Sequence, residues 1–301
     1  MNLSQLRYAV AVAETGSFTM AAEHCYVTQP TLSNGIAQLE QELGGRLFTR
    51  TTRSVTLSEF GKRLLPHITT VLEAQNVLER EAVQLVNAGR TPVRLGASPL
   101  ISSEWLSGML AAFREEAGSM EIILHEQNMA DLYRMLDRGL LDFVLGVADA
   151  RKPTWRSIPL YKEPLHFIPR GGKAMENQAG VTFSAIADET FVMVPNVCGL
   201  SRATRSLFRS NRRKLREYQG EALSYQVLEE WAALGLGAAI LPQSKLQPSG
   251  NSYVLLNKKG ETITLSFEAV WQNTPDIPAQ VMRFAEFLAA YSDRLSDKPS
   301  L

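Results

Sequence analysis

Between Thr28 and Gln38 the chain carries polar side chains of kinds that read base pairs: Gln29, Thr31, Ser33, Asn34 and Gln38, behind Thr28 and Pro30. Gln and Asn can bond adenine through two hydrogen bonds at once, and Ser and Thr can reach base edges. Thr28 caps a helix and Pro30 suits its first turn, so free backbone N–H groups stand at an end that favours phosphate. Just beyond, Arg46, Arg50 and Arg53 supply guanidinium groups for the DNA backbone or minor groove. A second set of groups, much later in the chain, has anion chemistry. Ser98, Ser102, Ser103 and Ser201 stand near helix starts, with Arg202 following. Catalytic chemistry finds no support. Gly235-Leu-Gly237 lacks the third glycine of a dinucleotide turn, no Gly-Lys-Ser phosphate loop exists, and His24, His67, His125 and His166 lack metal-ligand spacing. No catalytic residue, metal or cofactor is expected. Cys25 and Cys198 are too far apart to suggest a structural disulfide.

The base-reading residues need a scaffold, and the flanking sequence supplies one. Leu3, Leu6, Val10 and Ala13 make one face of a first helix that Gly16 ends. Ser17 caps a short helix with Phe18, Ala21, Ala22 and Cys25 on its apolar side. After a tight turn Leu32, Ile36, Leu39 and Leu43 form the apolar stripe of the helix that begins at Thr28 and stops at Gly44-Gly45. Gly35 inside it costs about 1 kcal/mol relative to alanine. Leu47 to Arg50 and Ser54 to Leu57 read as a small hairpin. Two helices, a turn, a polar second helix and a basic hairpin make a winged helix-turn-helix pattern. Ser58 then caps a long helix to about Asn87, in which Leu64, Ile68, Val71, Gln75, Leu78, Ala82 and Leu85 form a heptad seam. Such a stripe on a lone helix calls for a second subunit, with Leu64, Ile68, Val71, Leu78 and Leu85 as the contact; Pro66 should kink the helix near its start.

Ala21-Ala22, Gln29-Pro30, Leu32-Ser33, Leu39-Glu40, Leu43-Gly44, Leu47-Phe48, Arg50, Leu57-Ser58 and Gly61 resemble the winged helix-turn-helix of LysR-type transcriptional regulators. Ala9, Cys25 and Asn34-Gly35 depart from the usual pattern. Later segments extend the resemblance, at Leu136, Gly139 and Leu141-Asp142 and again over Gly235 to Pro242. It implies a mixed fold: a winged helix-turn-helix at 1–60, a dimerisation helix at 58–88, a hinge at 89–92 and a two-lobed, periplasmic-binding-protein-like effector domain at 93–301. Lobe I would take about 93–162 and 268–301, and lobe II about 163–267. The implied partners are double-stranded DNA, a small effector, a second copy in a dimer or tetramer, and RNA polymerase.

The residues after the hinge read independently as an α/β domain. Strands are expected at Val93 to Ala97, Met120 to Leu124, Leu141 to Val147, Phe191 to Val194, Tyr218 to Ala222, Ala238 to Leu241, Tyr253 to Leu256 and Leu265 to Trp271, with a crossing between lobes around Leu160 to Ile168. Helices fall between them, the last from Pro278 to about Asp293. This alternation predicts a largely parallel sheet, with ligands at the C-terminal ends of its strands. The cleft should be lined by Ser98, Pro99, Leu100, Ile101, Ser102, Ser103, Val147, Ala148, Cys198, Leu200, Ser201, Arg202, Tyr225 and Gln226. Hydroxyls, helix N-termini and Arg202 favour a small carboxylate.

Lys and Arg total 31 against 31 Asp and Glu over 301 residues, so cationic character is local and salt dependence should be moderate. The ridge of Arg202, Arg205, Arg209, Arg212, Arg213 and Arg216 reads by default as a solvated face. No secretory signal or membrane-spanning run is legible, which predicts a cytoplasmic protein. Two rivals stay open: a redox sensor of the same family using Cys198, and a cytoplasmic α/β solute-binding or catalytic protein with an accessory helical domain.

Overall fold

The computed structural model describes residues 1–50, 55–86, 92–117, 120–148, 152–172, 180–195, 198–248, 250–273 and 277–296. The chain forms two compact units, Met1–Val86 and Asn87–Leu301. Apart from Pro92, the expected hinge at 89–92 lies outside the described residues.

In the first unit, α1 (Leu3–Thr15) begins with a reciprocal cap: the Asn2 side chain accepts from the Gln5 backbone N–H at 3.0 Å, and the Gln5 side chain accepts from the Asn2 N–H at 2.9 Å. Helix α2 (Phe18–His24) starts at Ser17, and α3 (Gln29–Leu43) starts at Thr28, whose hydroxyl accepts from the Thr31 N–H at 3.4 Å. Strands β1 (Phe48–Arg50) and β2 (Val55–Leu57) pair antiparallel as the wing, followed by α4 (Glu59–Val86). Leu6, Val12, Ala21, Ala22, Leu32, Ile36, Leu39, Leu47 and Phe48 bury together as one core. Ser58 caps α4 by accepting from the Gly61 N–H at 2.9 Å. A methyl group on Gly61 would lie 2.0 Å from the Leu47 carbonyl oxygen, so only glycine lets the helix approach the wing this closely. Pro66 lies inside α4 without ending it.

The second unit runs β3 (Val93–Ala97), α5 (Ser103–Ala117), β4 (Ile122–Glu126), α6 (Met129–Asp137), β5 (Phe143–Val147), β6 (Trp155–Ile168), β7 (Gly180–Thr182), α7 (Phe183–Ile186), β8 (Thr190–Met193), α8 (Gly199–Ser210), β9 (Arg216–Glu221), α9 (Tyr225–Ala233), β10 (Ala239–Pro242), β11 (Tyr253–Leu256), β12 (Thr264–Gln272) and α10 (Ala279–Ser296). The main sheet has the order β4-β3-β5-β12-β6-β11-β7, with β10 also on β6, and β8 pairs β9.

The expectation of a largely parallel sheet is corrected. Parallel pairing holds for β3 with β4 and β5, β11 with β7, and β8 with β9, but β12 is antiparallel to both β5 and β6, and β6 is antiparallel to β10 and β11. Strands joined through a helix return in the same direction, while the long crossing strands β6 and β12 run against their neighbours. The sequence reading also missed β7, α7 and the first part of β6, and it set β4 two residues too early. That shift has a consequence at the cleft, because β4 ends on Glu126.

Candidate nucleic-acid interface and effector cleft

Leu32, Ile36 and Leu39 point one side of α3 into the core and are fully buried. At 3.6 residues per turn the opposite side carries Pro30, Asn34, Ala37 and Gln41, all exposed. Gln29 lies beside this face and donates to the Ser33 hydroxyl at 3.1 Å, while the Thr28 and Thr31 hydroxyls pair at 2.8 Å. Gln38, although exposed, is fastened to α1: it accepts from the buried Gln5 side chain at 3.0 Å. Gly35 has a packing role, since a methyl group there would sit 2.9 Å from the Tyr8 ring. The helix runs through it unbroken to Leu43.

Glu40 fixes the wing to α3, its carboxylate accepting from the Leu47 N–H at 2.7 Å and the Phe48 N–H at 3.2 Å. Arg46 is exposed at the wing's base. Arg53 lies outside the described residues, and of Arg50 only the backbone in β1 is described. Sequence reading passed over Ala37 and Gln41: alanine offers no polar group, and Gln41 is hidden between Glu40 and Glu42. It also passed over Tyr26, 96% exposed in the turn before α3 with φ at +55°.

The expected α4 seam divides in two, which corrects its assignment to a single dimer contact. Ile68 is buried, and Leu64 and Leu72 pack with it on the first unit's own core. Gln75 accepts from Arg7 on α1 at 3.2 Å. Val71 is 45% exposed and Leu78 70% exposed on the neighbouring side of the helix, where Ala74 is exposed too. Leu85 is on the helix, with its side chain outside what is described.

In the second unit the expected cleft residues separate into a plug and a rim. Leu100, Ile101, Val147 and Leu200 are buried members of the main core, so they are not an open wall for a ligand's hydrocarbon. A methyl group on Gly199 would meet Val147 at 3.0 Å, so the start of α8 packs directly on the end of β5. Ser98 is 3% exposed and its hydroxyl accepts from the Leu100 N–H at 3.3 Å. Ser201 is fully buried and faces the interior of lobe II beside Phe191, Met193, Leu228 and Ile240, not the cleft. Ser102 caps α5 by accepting from the Trp105 N–H at 3.3 Å, and its own N–H donates to the Tyr161 hydroxyl at 2.9 Å. Tyr161 is held by stacking on Phe267 and by Trp105, and burial pushes its pKa up. Pro99 is half-buried; Ser103, Ala148 and Gln226 are exposed.

Cys198 precedes α8, and the Tyr225 hydroxyl at the start of α9 hydrogen bonds to its thiol. Burial raises the Cys198 pKa against the opposing pull of that bond and of nearby Arg202. Sequence reasoning missed Lys245, whose ammonium donates to the Ile101 carbonyl at 2.8 Å and so joins the turn after β10 to the loop before α5. Burial depresses its pKa, with Glu163 and Glu126 pulling the other way. Glu163 accepts from the Ser244 N–H at 2.8 Å and the Ser244 hydroxyl at 3.1 Å, and burial raises its pKa. Among the described residues no three His, Cys, Asp or Glu side chains could hold a metal ion, and no helix is long and apolar enough to cross a membrane.

A winged helix-turn-helix followed by a two-lobed α/β unit defines a ligand-responsive transcriptional regulator. Residues 3–62 match the bacterial regulatory helix-turn-helix proteins of the lysR family, and residues 87–293 match the LysR substrate binding domain. The chain belongs to the LysR family of DNA-binding transcriptional regulators. It is 30% identical over 249 residues to the DNA-binding transcriptional dual regulator OxyR of Escherichia coli K12, covering 82% of this chain and 81% of that protein. To the nitrogen assimilation regulatory protein nac of Klebsiella aerogenes it is 32% identical over 250 residues, 81% of this chain and 79% of that one. Among solved structures, CbnR, a LysR family transcriptional regulator, shares the fold with a TM-score of 0.72 at 18% identity, covering 97% of this chain and 99% of CbnR.

Proposed function

We propose that this regulator binds operator DNA through the exposed N-terminal half of α3, as a homodimer or a tetramer built from dimers, and that a small carboxylate in the inter-lobe cleft controls it. The observation that carries the DNA reading is the division of α3: Leu32, Ile36 and Leu39 hold it to the core while Gln29, Pro30, Thr31 and Asn34 remain exposed, with Ser33 half-buried between them. Thr28 and the helix N-terminus take a phosphate, Gln29, Ser33 and Asn34 read base edges, and Gln38, tied to α1, holds the helix in place. Arg50 and Arg53 take backbone or minor groove. Support also comes from the likeness to CbnR, which has been solved with its target DNA. The dimer contact is the outer stripe of Val71 and Leu78, continuing to Leu85. The protein works in the cytoplasm, is not an enzyme, and contacts RNA polymerase at its promoters. A gel shift on DNA upstream of its own gene tests the reading: wild type binds, and Arg53→Ala weakens all sequences alike and flattens the salt slope by about one unit. Equal salt slopes contradict the phosphate assignment.

The effector reading rests on Ser102 at the α5 start, Cys198 and Arg202 at the α8 start and the ammonium of Lys245, which together favour an anion. Tyr225, Gln226, Pro99, Ser103 and Ala148 complete the rim, with Ser98 buried behind it. Calorimetry with a carboxylate and its methyl ester tests the charge, and equal affinities overturn it. A second reading, a redox sensor using Cys198, is favoured by the likeness to OxyR. Against it stand the raised thiol pKa and a second cysteine, Cys25, that belongs to the other unit.

A further inference from the structure

Glu126 ends β4 at the edge where ligands approach an open α/β sheet. Its parallel partner in β3 is Ala97, and the next residue, Gln127, donates its N–H to the Ala97 carbonyl at 3.4 Å, so Glu126 stands beside the Ser98 loop. The side chain is exposed and, among the described residues, has no ion pair. It lies within electrostatic reach of both the Tyr225 hydroxyl and the Lys245 ammonium. These come from separate segments of lobe II, so Glu126 lies near two groups distant from it in sequence. Lys245 gives one hydrogen to the Ile101 carbonyl and keeps two. Glu163 also faces Lys245, but both its oxygens are taken by Ser244. Near Cys198 the charges are Arg202 and Glu221.

The signs around the cleft constrain what enters it. Lys245 and Arg202 attract a carboxylate, yet a plain carboxylate adds negative charge beside Lys245, which Glu126 and Glu163 already face. A ligand with a cation of its own adds no net charge and gives Glu126 a partner. A solvated strand-end glutamate is the plainer reading of Glu126 alone; it does not account for a lysine from another segment within its electrostatic reach, held on the Ile101 carbonyl in the loop after Ala97. We infer that the effector is a zwitterion of the amino-acid type, its carboxylate received at Lys245 and the α8 start and its ammonium by Glu126. This rests on the cleft being the effector site.

The test uses the full-length protein and a panel of the standard amino acids, each with its deaminated acid and its decarboxylated amine, by thermal shift and then calorimetry. At least one amino acid should bind, with both relatives weaker by about tenfold or more. Glu126→Gln, at an exposed position, should keep its melting temperature and lower the amino acid to the affinity of its deaminated acid. Lys245→Met should weaken both. A deaminated acid that binds wild type as tightly as its amino acid, or amino-acid binding unchanged by Glu126→Gln, overturns the zwitterion and leaves the anion site standing. A folded protein that binds no carboxylate of either kind overturns both.

Discussion

On α3 the groups proposed to read bases are neighbours in sequence and largely face water, while the groups that hold the helix face the other way. In the cleft the two jobs overlap: Ser98, Leu100, Val147 and Leu200 lie at the expected ligand site and are also buried structure. A surface used for reading DNA can therefore change residues without changing the fold. The cleft cannot, and its adaptable positions are those proposed for its rim, Glu126, Cys198, Tyr225, Gln226 and Lys245. The same contrast divides α4, whose inner stripe belongs to the core and whose outer stripe, proposed as the dimer contact, is exposed at Val71 and Leu78.

The largest effects should come from crossing that division. Ile68→Asp puts a charge into the first unit's core and should destabilise it by more than about 3 kcal/mol in denaturant melts. Val71→Asp with Leu78→Asp, on the outer stripe, should leave the melt near wild type and shift sedimentation to monomers that lose operator binding. A double variant that sediments as wild type moves the interface elsewhere. Next, Leu200→Ala should lose about 2–5 kcal/mol by opening a cavity. Asn34→Ala should stay within about 0.5 kcal/mol of wild-type stability while weakening DNA binding. Comparable losses for the two would erase the distinction between plug and reading face.

A smaller effect concerns pH. Burial raises the Glu163 pKa above its ordinary value of 4.5. The folded state then holds its proton to higher pH than the unfolded chain, so stability falls as pH rises from that ordinary value through the raised one. Glu163→Gln, which keeps an acceptor for Ser244, should flatten that part of the stability profile. An unchanged slope would assign it to another group.

How much was legible in the sequence follows the same line. Caps at Ser17, Thr28 and Ser58, the Leu32 stripe and the stop at Gly44 are local signals, and each reports its element directly. The antiparallel run of β6 and β12 was not legible, because their partners are set by how the lobes pack. Lys245 and Glu126 were missed for related reasons. Lys245 follows an apolar strand in a segment without motif, and placing β4 two residues early cut Glu126 off its end. The α4 seam was legible as a stripe but not as two, since only the folded first unit shows which side Leu64 and Ile68 cover.

The central claim is that α3 reads bases with side chains that do not hold the fold. Competition binding of wild type and Gln29→Ala to the operator and to versions with single base changes measures it most directly. Gln29→Ala should lose about 1–3 kcal/mol of discrimination at one base position of each half-site, with its melting temperature unchanged. Discrimination equal to wild type at every position would contradict it.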